Sequence, residues 1–264
     1  MAASWCYTAC MLNNEISPHS LAGRVILITG ASSGIGRAVA KAYAAHGATV
    51  VLLARTIKKL ESLYDEIIAA GSPIPAIYPL NLATATPTDY ENLNQDLSKH
   101  FGRLDGLLLN AATIGSLTPL EHYPIEQWYQ VMQVNLNSHF LLIQALLPLL
   151  KASKDAKILF TLANEGLKGK AYWGAYGVSK FATQGLMQIL ADELETHSSI
   201  RVNAINPVCV QTPLRKAAYP ADRSAEHLPK PEDLLVHYLS LMAPNNQAHK
   251  KTFTLNPDLS CTET

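Results

Sequence analysis

The chain has little charge, few cysteines and no long apolar run. Charged residues make up only 16 % of its 264 residues, and 21 basic side chains face 21 acidic ones. A balanced chain has no excess cation to collect phosphates, so nucleic-acid binding is not expected. The four cysteines, Cys6, Cys10, Cys209 and Cys261, show no Cys-x-x-Cys spacing and no scaffold density, which fits a reducing, cytoplasmic setting rather than a disulfide framework. Cys6 and Cys10 could share a helical face, but no further ligand lies near them, so no metal site is expected. The longest apolar stretch, Phe140 to Leu150, is interrupted by Gln144 and Pro148 and reads as a buried helix; no membrane association is expected. Residues 1–20 read as a leader without a signal peptide's basic start and long apolar middle. Residues 1–10 read as a tail or a start-site artefact, because Met11 offers a second start.

What is present is alternation. Short β-branched and leucine-rich runs near residues 24–29, 48–54, 75–81, 104–110, 157–163, 200–206 and 251–255 are separated by helical patterns. The latter cover about 35–46, 56–70, 87–101, 124–151 (with a break near Asn135), 176–197 and 231–242. Alternation of this kind predicts an α/β fold. We expect one domain over 21–264, with a single Rossmann-type, doubly wound parallel sheet of about seven strands and helices on both faces. Ligands in such sheets bind beyond the C-terminal strand ends, and the motifs fall there.

The first strand runs into Thr29-Gly30-Ala31-Ser32-Ser33-Gly34-Ile35-Gly36, and a helix follows. Glycines there let the backbone turn tightly and approach a pyrophosphate, while the helix supplies free N–H groups and a positive dipole end. At the end of the second strand, where an acidic residue would bind the 2′-OH of NAD, stands Arg55. It favours the 2′-phosphate, hence NADP(H) over NAD(H), with Arg37 a possible helper. Tyr176 and Lys180 lie four apart on a helical pattern and share a face. A cation beside a phenol lowers its pKa and makes it a usable acid and base for a carbonyl/alcohol pair.

With these motifs in hand, the sequence resembles the classical short-chain dehydrogenase/reductase family, from about Leu21 to Leu255. The glycine loop matches the family's cofactor loop. Asn110-Ala111-Ala112 sits where the family carries Asn-Ala-Gly, and Asn135 matches the asparagine at a helix kink in its proton relay. Tyr176 and Lys180 match the catalytic pair, and Asn206-Pro207 with Val210 and Thr212 matches the stretch touching the nicotinamide. The resemblance implies that Tyr176 handles the substrate proton, that Lys180 tunes it and binds ribose, and that Asn135 links the lysine to solvent. It implies cofactor contacts from Gly30, Ser32, Ser33, Gly34, Ile35, Gly36, Arg55, Asn81, Leu82, Asn110, Ala111, Tyr176, Lys180, Pro207, Val210 and Thr212. It also implies a substrate lid over about 211–230, a small carbonyl or alcohol substrate, and a homodimer or homotetramer.

The match fails at four places. Ala163 stands about thirteen residues before Tyr176, where the family has its catalytic serine, and Asn164 or Thr161 could stand in. Val208 and Ala112 replace glycines, and Asn81 replaces an aspartate bordering the adenine. The leading expectation is therefore an NADP(H)-dependent carbonyl/alcohol oxidoreductase. The alternatives are an impaired dinucleotide-binding sensor or assembly subunit, and a dehydratase or isomerase on the same scaffold. Trp173, Tyr172 and the basic Arg215, Lys216 and Arg223 are candidates for the substrate side, and His139 reads as a packing or interface residue.

Overall fold

The computed structural model describes residues 16–207, 209–223 and 225–264. Cys6, Cys10, most of the leader and Val208 lie outside the described residues. The strands are β1 (Val25–Thr29), β2 (Thr49–Ala54), β3 (Ala76–Pro79), β4 (Gly106–Leu109), β5 (Lys157–Thr161), β6 (Arg201–Asn206), β7 (Lys251–Leu255) and β8 (Cys261–Glu263). The helices are α1 (Gly34–Ala45), α2 (Ile57–Ala69), α3 (Pro87–Phe101), α4 (Ile125–Met132), α5 (Ser138–Lys151), α6 (Gly174–Leu194), α7 (Pro213–Ala218) and α8 (Leu235–Met242).

The strands form one sheet in the order β3-β2-β1-β4-β5-β6-β7-β8. β1 to β7 pair in parallel, as in Leu27 opposite Val51 and Leu107. The eighth strand, antiparallel to β7, pairs Leu255 with Cys261. It goes beyond the seven expected, because three polar-leaning residues carry no periodic signal.

The continuous apolar runs follow from burial on both faces. Leu27, Leu107 and Phe160 join Tyr90, Leu142 and Met187 of α3, α5 and α6 on one face. Ile26, Ile28 and Leu108 join Tyr43, Leu60 and Tyr238 of α1, α2 and α8 on the other. The break expected near Asn135 is a π-helical turn, Gln133–Asn137, between α4 and α5. Its extra residue lets Asn135 turn inward, fully buried.

Among the described residues no helix is long and apolar enough to cross a membrane. No group of three or more His, Cys, Asp or Glu residues is placed to hold a metal.

Candidate active site

A cleft of about 460 Å³ runs across the C-terminal ends of the strands, from Arg55, Thr56 and Lys59 at one end to Trp173, Tyr176 and Tyr219 at the other. Of the expected residues, Gly30, Ser32, Ser33, Gly34, Ile35, Arg55, Asn81, Leu82, Asn110, Ala111, Asn164, Tyr176, Lys180, Pro207, Val210 and Thr212 all line it.

Gly36 and Asn135 do not line it. Gly36 supports the glycine loop from behind: a Cβ there would lie 2.5 Å from the Gly30 carbonyl oxygen and 2.7 Å from Asn110 Nδ2, so only glycine fits. Gly30 itself has φ +68°, a left-handed turn that side chains resist. Thr29, not foreseen as a site residue, joins this loop to β4. Its Oγ1 accepts from the Asn110 and Ala111 N–H groups at 2.9 and 3.0 Å and donates to the Leu108 carbonyl.

The N-terminus of α1 opens on the cleft. Ser33 leaves its N–H groups uncapped by any side chain, and the first turn carries no acid. The site therefore fits a diphosphate in the way the glycine loop requires. Arg55 is exposed at the far end beside Thr56 and Lys59. Arg37 does not help there: its guanidinium is held by Glu66 at 2.5 Å and by the Lys59 carbonyl. A nearby carboxylate outcompetes solvent for it. Asn81 spends its Oδ1 on the Ala83 N–H at 3.2 Å.

At the opposite end Tyr176 is 5 % exposed and Lys180 2 % exposed, one helical turn apart on α6. Lys180 Nζ donates to the Thr161 carbonyl at 2.8 Å and sits 5.8 Å from the Tyr176 ring centroid. Burial pushes the ammonium down to about 8, with the Glu165 carboxylate pulling the other way. The phenol is not lowered as the lysine alone would suggest. Burial drives it well above its usual range, and the charges of Glu165 and Cys209 add to that. Desolvation of the phenolate outweighs a cation that is itself desolvated.

Asn135 lies behind the pair. Its Oδ1 accepts from the Thr113 N–H at 2.8 Å, and its Nδ2 donates to the Thr113 carbonyl and to Ser179 Oγ. It thereby pins the β4–α4 connection to α6.

Ala163 faces the cleft with no polar side-chain atom to offer. Thr161 does not stand in, because its Oγ1 is within 3.3 Å of the Tyr238 hydroxyl on α8, against the other face of the sheet. Asn164 accepts from Asn206 Nδ2 at 2.7 Å through Oδ1, which leaves its N–H donors uncommitted.

The segment after β6 lines one side of the cleft. Thr212 caps α7 by accepting from the Arg215 N–H at 3.1 Å. Gln211 bonds to the Pro229 and Leu228 carbonyls, clasping both ends of the 211–230 excursion together. Arg215 lines the cleft, whereas Lys216, Arg223 and Tyr172 do not. Trp173 does, with its ring 5.4 Å from that of Tyr176. His139 is fully buried against Phe160 outside the cleft, the packing role expected of it.

The chain as a whole is similar to known proteins. A short chain dehydrogenase family model matches residues 24–223. The uncharacterized oxidoreductase YciK of Escherichia coli K12 is 42 % identical over 224 residues, covering 85 % of this chain and 88 % of its own. A solved chain from Pseudomonas syringae, assigned to the short chain dehydrogenases, is 52 % identical. It superposes with a TM-score of 0.88 over 94 % of this chain and 98 % of its own. A chain from Escherichia coli CFT073, solved in complex with NADPH, is 41 % identical, with a TM-score of 0.87 over 90 % and 99 %. The sheet order, the glycine loop and the extent of these matches lead to one assignment: the chain belongs to the short-chain dehydrogenase family of oxidoreductases.

Proposed function

We propose that the chain is an NADP(H)-dependent oxidoreductase that interconverts a carbonyl and a secondary alcohol, with Tyr176 as the acid and base. One observation carries the reading: a single cleft joins the uncapped α1 N-terminus and Arg55 to the buried Tyr176–Lys180 pair. The related chain solved with NADPH supports the choice of dinucleotide. So does Arg55, which suits a 2′-phosphate and has no acidic substitute beside it.

When bound, the reduced dinucleotide supplies a hydride whose electron pair becomes the new C–H bond. The carbonyl π pair moves onto oxygen, which takes the phenolic proton of Tyr176. Lys180 holds positive charge beside the phenol as that proton leaves, and Asn135 keeps the helix turn behind the pair fixed as a positioning residue. Asn164 offers the substrate oxygen the amide donor that Ala163 lacks. The 211–230 segment acts as a lid that excludes water.

Oligomerisation belongs to the same proposal. Ile125, Tyr129, Phe140, Val178, Phe181 and Ile189 are exposed on α4, α5 and α6, and Gly185 faces open space. An apolar set of this size suits a second copy in a homodimer or homotetramer.

A second reading, a dinucleotide-binding protein with impaired chemistry, rests on Ala163. Loss of one donor to a developing oxyanion costs on the order of 10²–10³ in rate. NADPH oxidation over a panel of ketones, quinones and dicarbonyls separates the two. The reductase reading expects wild-type turnover that Tyr176→Phe abolishes and Ala163→Ser preserves or raises. A silent wild type with an active Ala163→Ser variant favours the binding protein.

A further inference from the structure

The wall of the cleft beside Tyr176 is aromatic and cationic in a way the proposed reaction does not require. The Trp173 ring lies 6.0 Å from the Tyr219 ring, and both line the cleft. The Arg215 guanidinium stacks 4.3 Å above the Tyr219 ring. Lys170, which does not itself line the cleft, places Nζ 5.5 Å from the Trp173 centroid and 5.7 Å from that of Tyr219, and donates to the Tyr219 hydroxyl at 3.0 Å. Two cations thus flank one aromatic side chain, supplied by two segments about forty-five residues apart in sequence.

The charges on this wall are unevenly matched. Arg215 pairs with Asp222 at 2.9 Å and reaches Cys209 Sγ at 3.3 Å through its terminal nitrogens. Its Nε–H, however, is buried and has no acceptor. Lys170 has no carboxylate within ion-pair distance among the described residues, and its hydrogen bond to Tyr219 holds its proton more tightly than usual. Arg215 and Lys170 thus bring two positive charges to one side of the aromatic pair, and a carboxylate placed there would gain charge-assisted hydrogen bonds. Glu165 is the carboxylate whose field reaches Tyr176, Lys180 and Lys170. Lining the cleft, it keeps a substrate carboxylate away from its own side.

Resting on the oxidoreductase reading, we infer that the substrate is a planar, aromatic or conjugated carbonyl compound bearing one carboxylate. Its carbonyl points inward to Tyr176, its plane lies along Trp173 and Tyr219, and its carboxylate points outward to Arg215 and Lys170. Trp173 is about one ring's width from both Tyr176 and Lys170. A single six-membered ring with a carbonyl at one end and a carboxylate at the other is the smallest compound of this kind.

The test compares 4-acetylbenzoate with its methyl ester, which keeps the shape and loses the charge. Both are assayed for NADPH oxidation, and calorimetry measures their binding to the protein saturated with NADP⁺. We expect the acid to exceed the ester in kcat/KM and in affinity by on the order of tenfold, and 0.5 M salt to narrow the gap. Lys170→Met and Arg215→Met should each pull the ratio towards one, while Trp173→Leu weakens acid and ester alike. An ester handled as well as the acid, or a preference unchanged in both charge variants, overturns the inference. So does failure of the acid to bind at all, while the reductase reading still stands or falls on the wider ketone panel. Acid-selective binding without turnover of any carbonyl keeps the ligand class and sinks the reductase.

Discussion

The two ends of the sheet treat buried polar groups in opposite ways. At the N-terminal strand ends the charges are joined in one network, although Arg24 Nε and Arg201 Nε stay buried without an acceptor among the described residues. Arg24 bonds to the Asp155 carboxylate and to the Asp105 and Asp155 carbonyls. Asp105 accepts from the Val25 N–H, from Ser153 Oγ and from Arg103. Burial alone would raise that carboxyl, but these donors more than offset it and hold it below its usual range. Lys157 is shared between Asp155 and the Asn246 carbonyl.

At the C-terminal ends, about 17–20 Å away along strands of five or six residues, the same kinds of group are left wanting. Lys180 has a carbonyl but no carboxylate within ion-pair distance, and among the described residues Tyr176 Oη has no hydrogen bond. Asn206 Oδ1 and Arg215 Nε are buried without partners among the described residues. One end is built to be stable and the other to be completed by ligands. Satisfied groups hold strands in register, and unsatisfied ones are where binding energy is gained.

The contrast can be broken at its stable end first. Asp105→Ala leaves Ser153 and the Val25 N–H without their acceptor, while half-exposed Arg103 keeps the Gly23 carbonyl, and should lower unfolding free energy by about 2–3 kcal/mol. Urea denaturation reads this directly, while kcat per folded molecule should change little.

At the reactive end the expected effect is a displaced pH profile. Lys180 is charged below about 8 and neutral above, so carbonyl reduction should decline as pH rises through that region. Glu165→Gln removes the carboxylate that holds the proton on, and should move this limb to lower pH. An unmoved limb would mean that another group titrates there.

The smallest effect concerns His139. Burial, with the Lys180 charge adding to it, pushes the imidazole down to about 3, and the Ala111 main chain opposes this only weakly. The folded state therefore binds fewer protons than the unfolded state between about 3 and the ordinary histidine value near 6.5. Stability is lost as pH falls through that window. His139→Leu should add about 1 kcal/mol near neutrality and flatten the acid side of the stability curve. Chemical denaturation at pH 7 and pH 5 tests both.

The strands and the glycine loop were legible because their signals are local, whereas the Arg24–Asp105–Asp155 network joins segments too distant in sequence to be read. An apolar run bounded by polar residues becomes a strand, and Tyr176 with Lys180 needs only helical spacing to share a face. The break at Asn135 was visible, but not that its side chain would turn from the cleft to clamp Thr113 and Ser179. Nor does the sequence tell that Arg37 would be captured by Glu66, since that depends on how α1 packs on α2. Thr161 shares strand parity with Ala163, yet Tyr238, seventy-seven residues later, occupies its hydroxyl. The Trp173–Tyr219–Arg215–Lys170 wall exists only once the segment after β6 folds over the segment after β5. No periodicity carries that pairing.

The last strand has a consequence of its own. β8 hydrogen-bonds along β7, and Thr264 exchanges both its N–H and its carbonyl with Thr252 at 2.9 and 2.8 Å. Glu263 adds an ion pair to Lys251. Without these few polar residues, the open edge of β7 would present a row of free donors and acceptors next to Phe253 and Leu255, a template onto which another chain could add. Residues 261–264 thus act as a selvedge, and a chain lacking them would betray the loss through concentration-dependent clumping before any fall in catalysis.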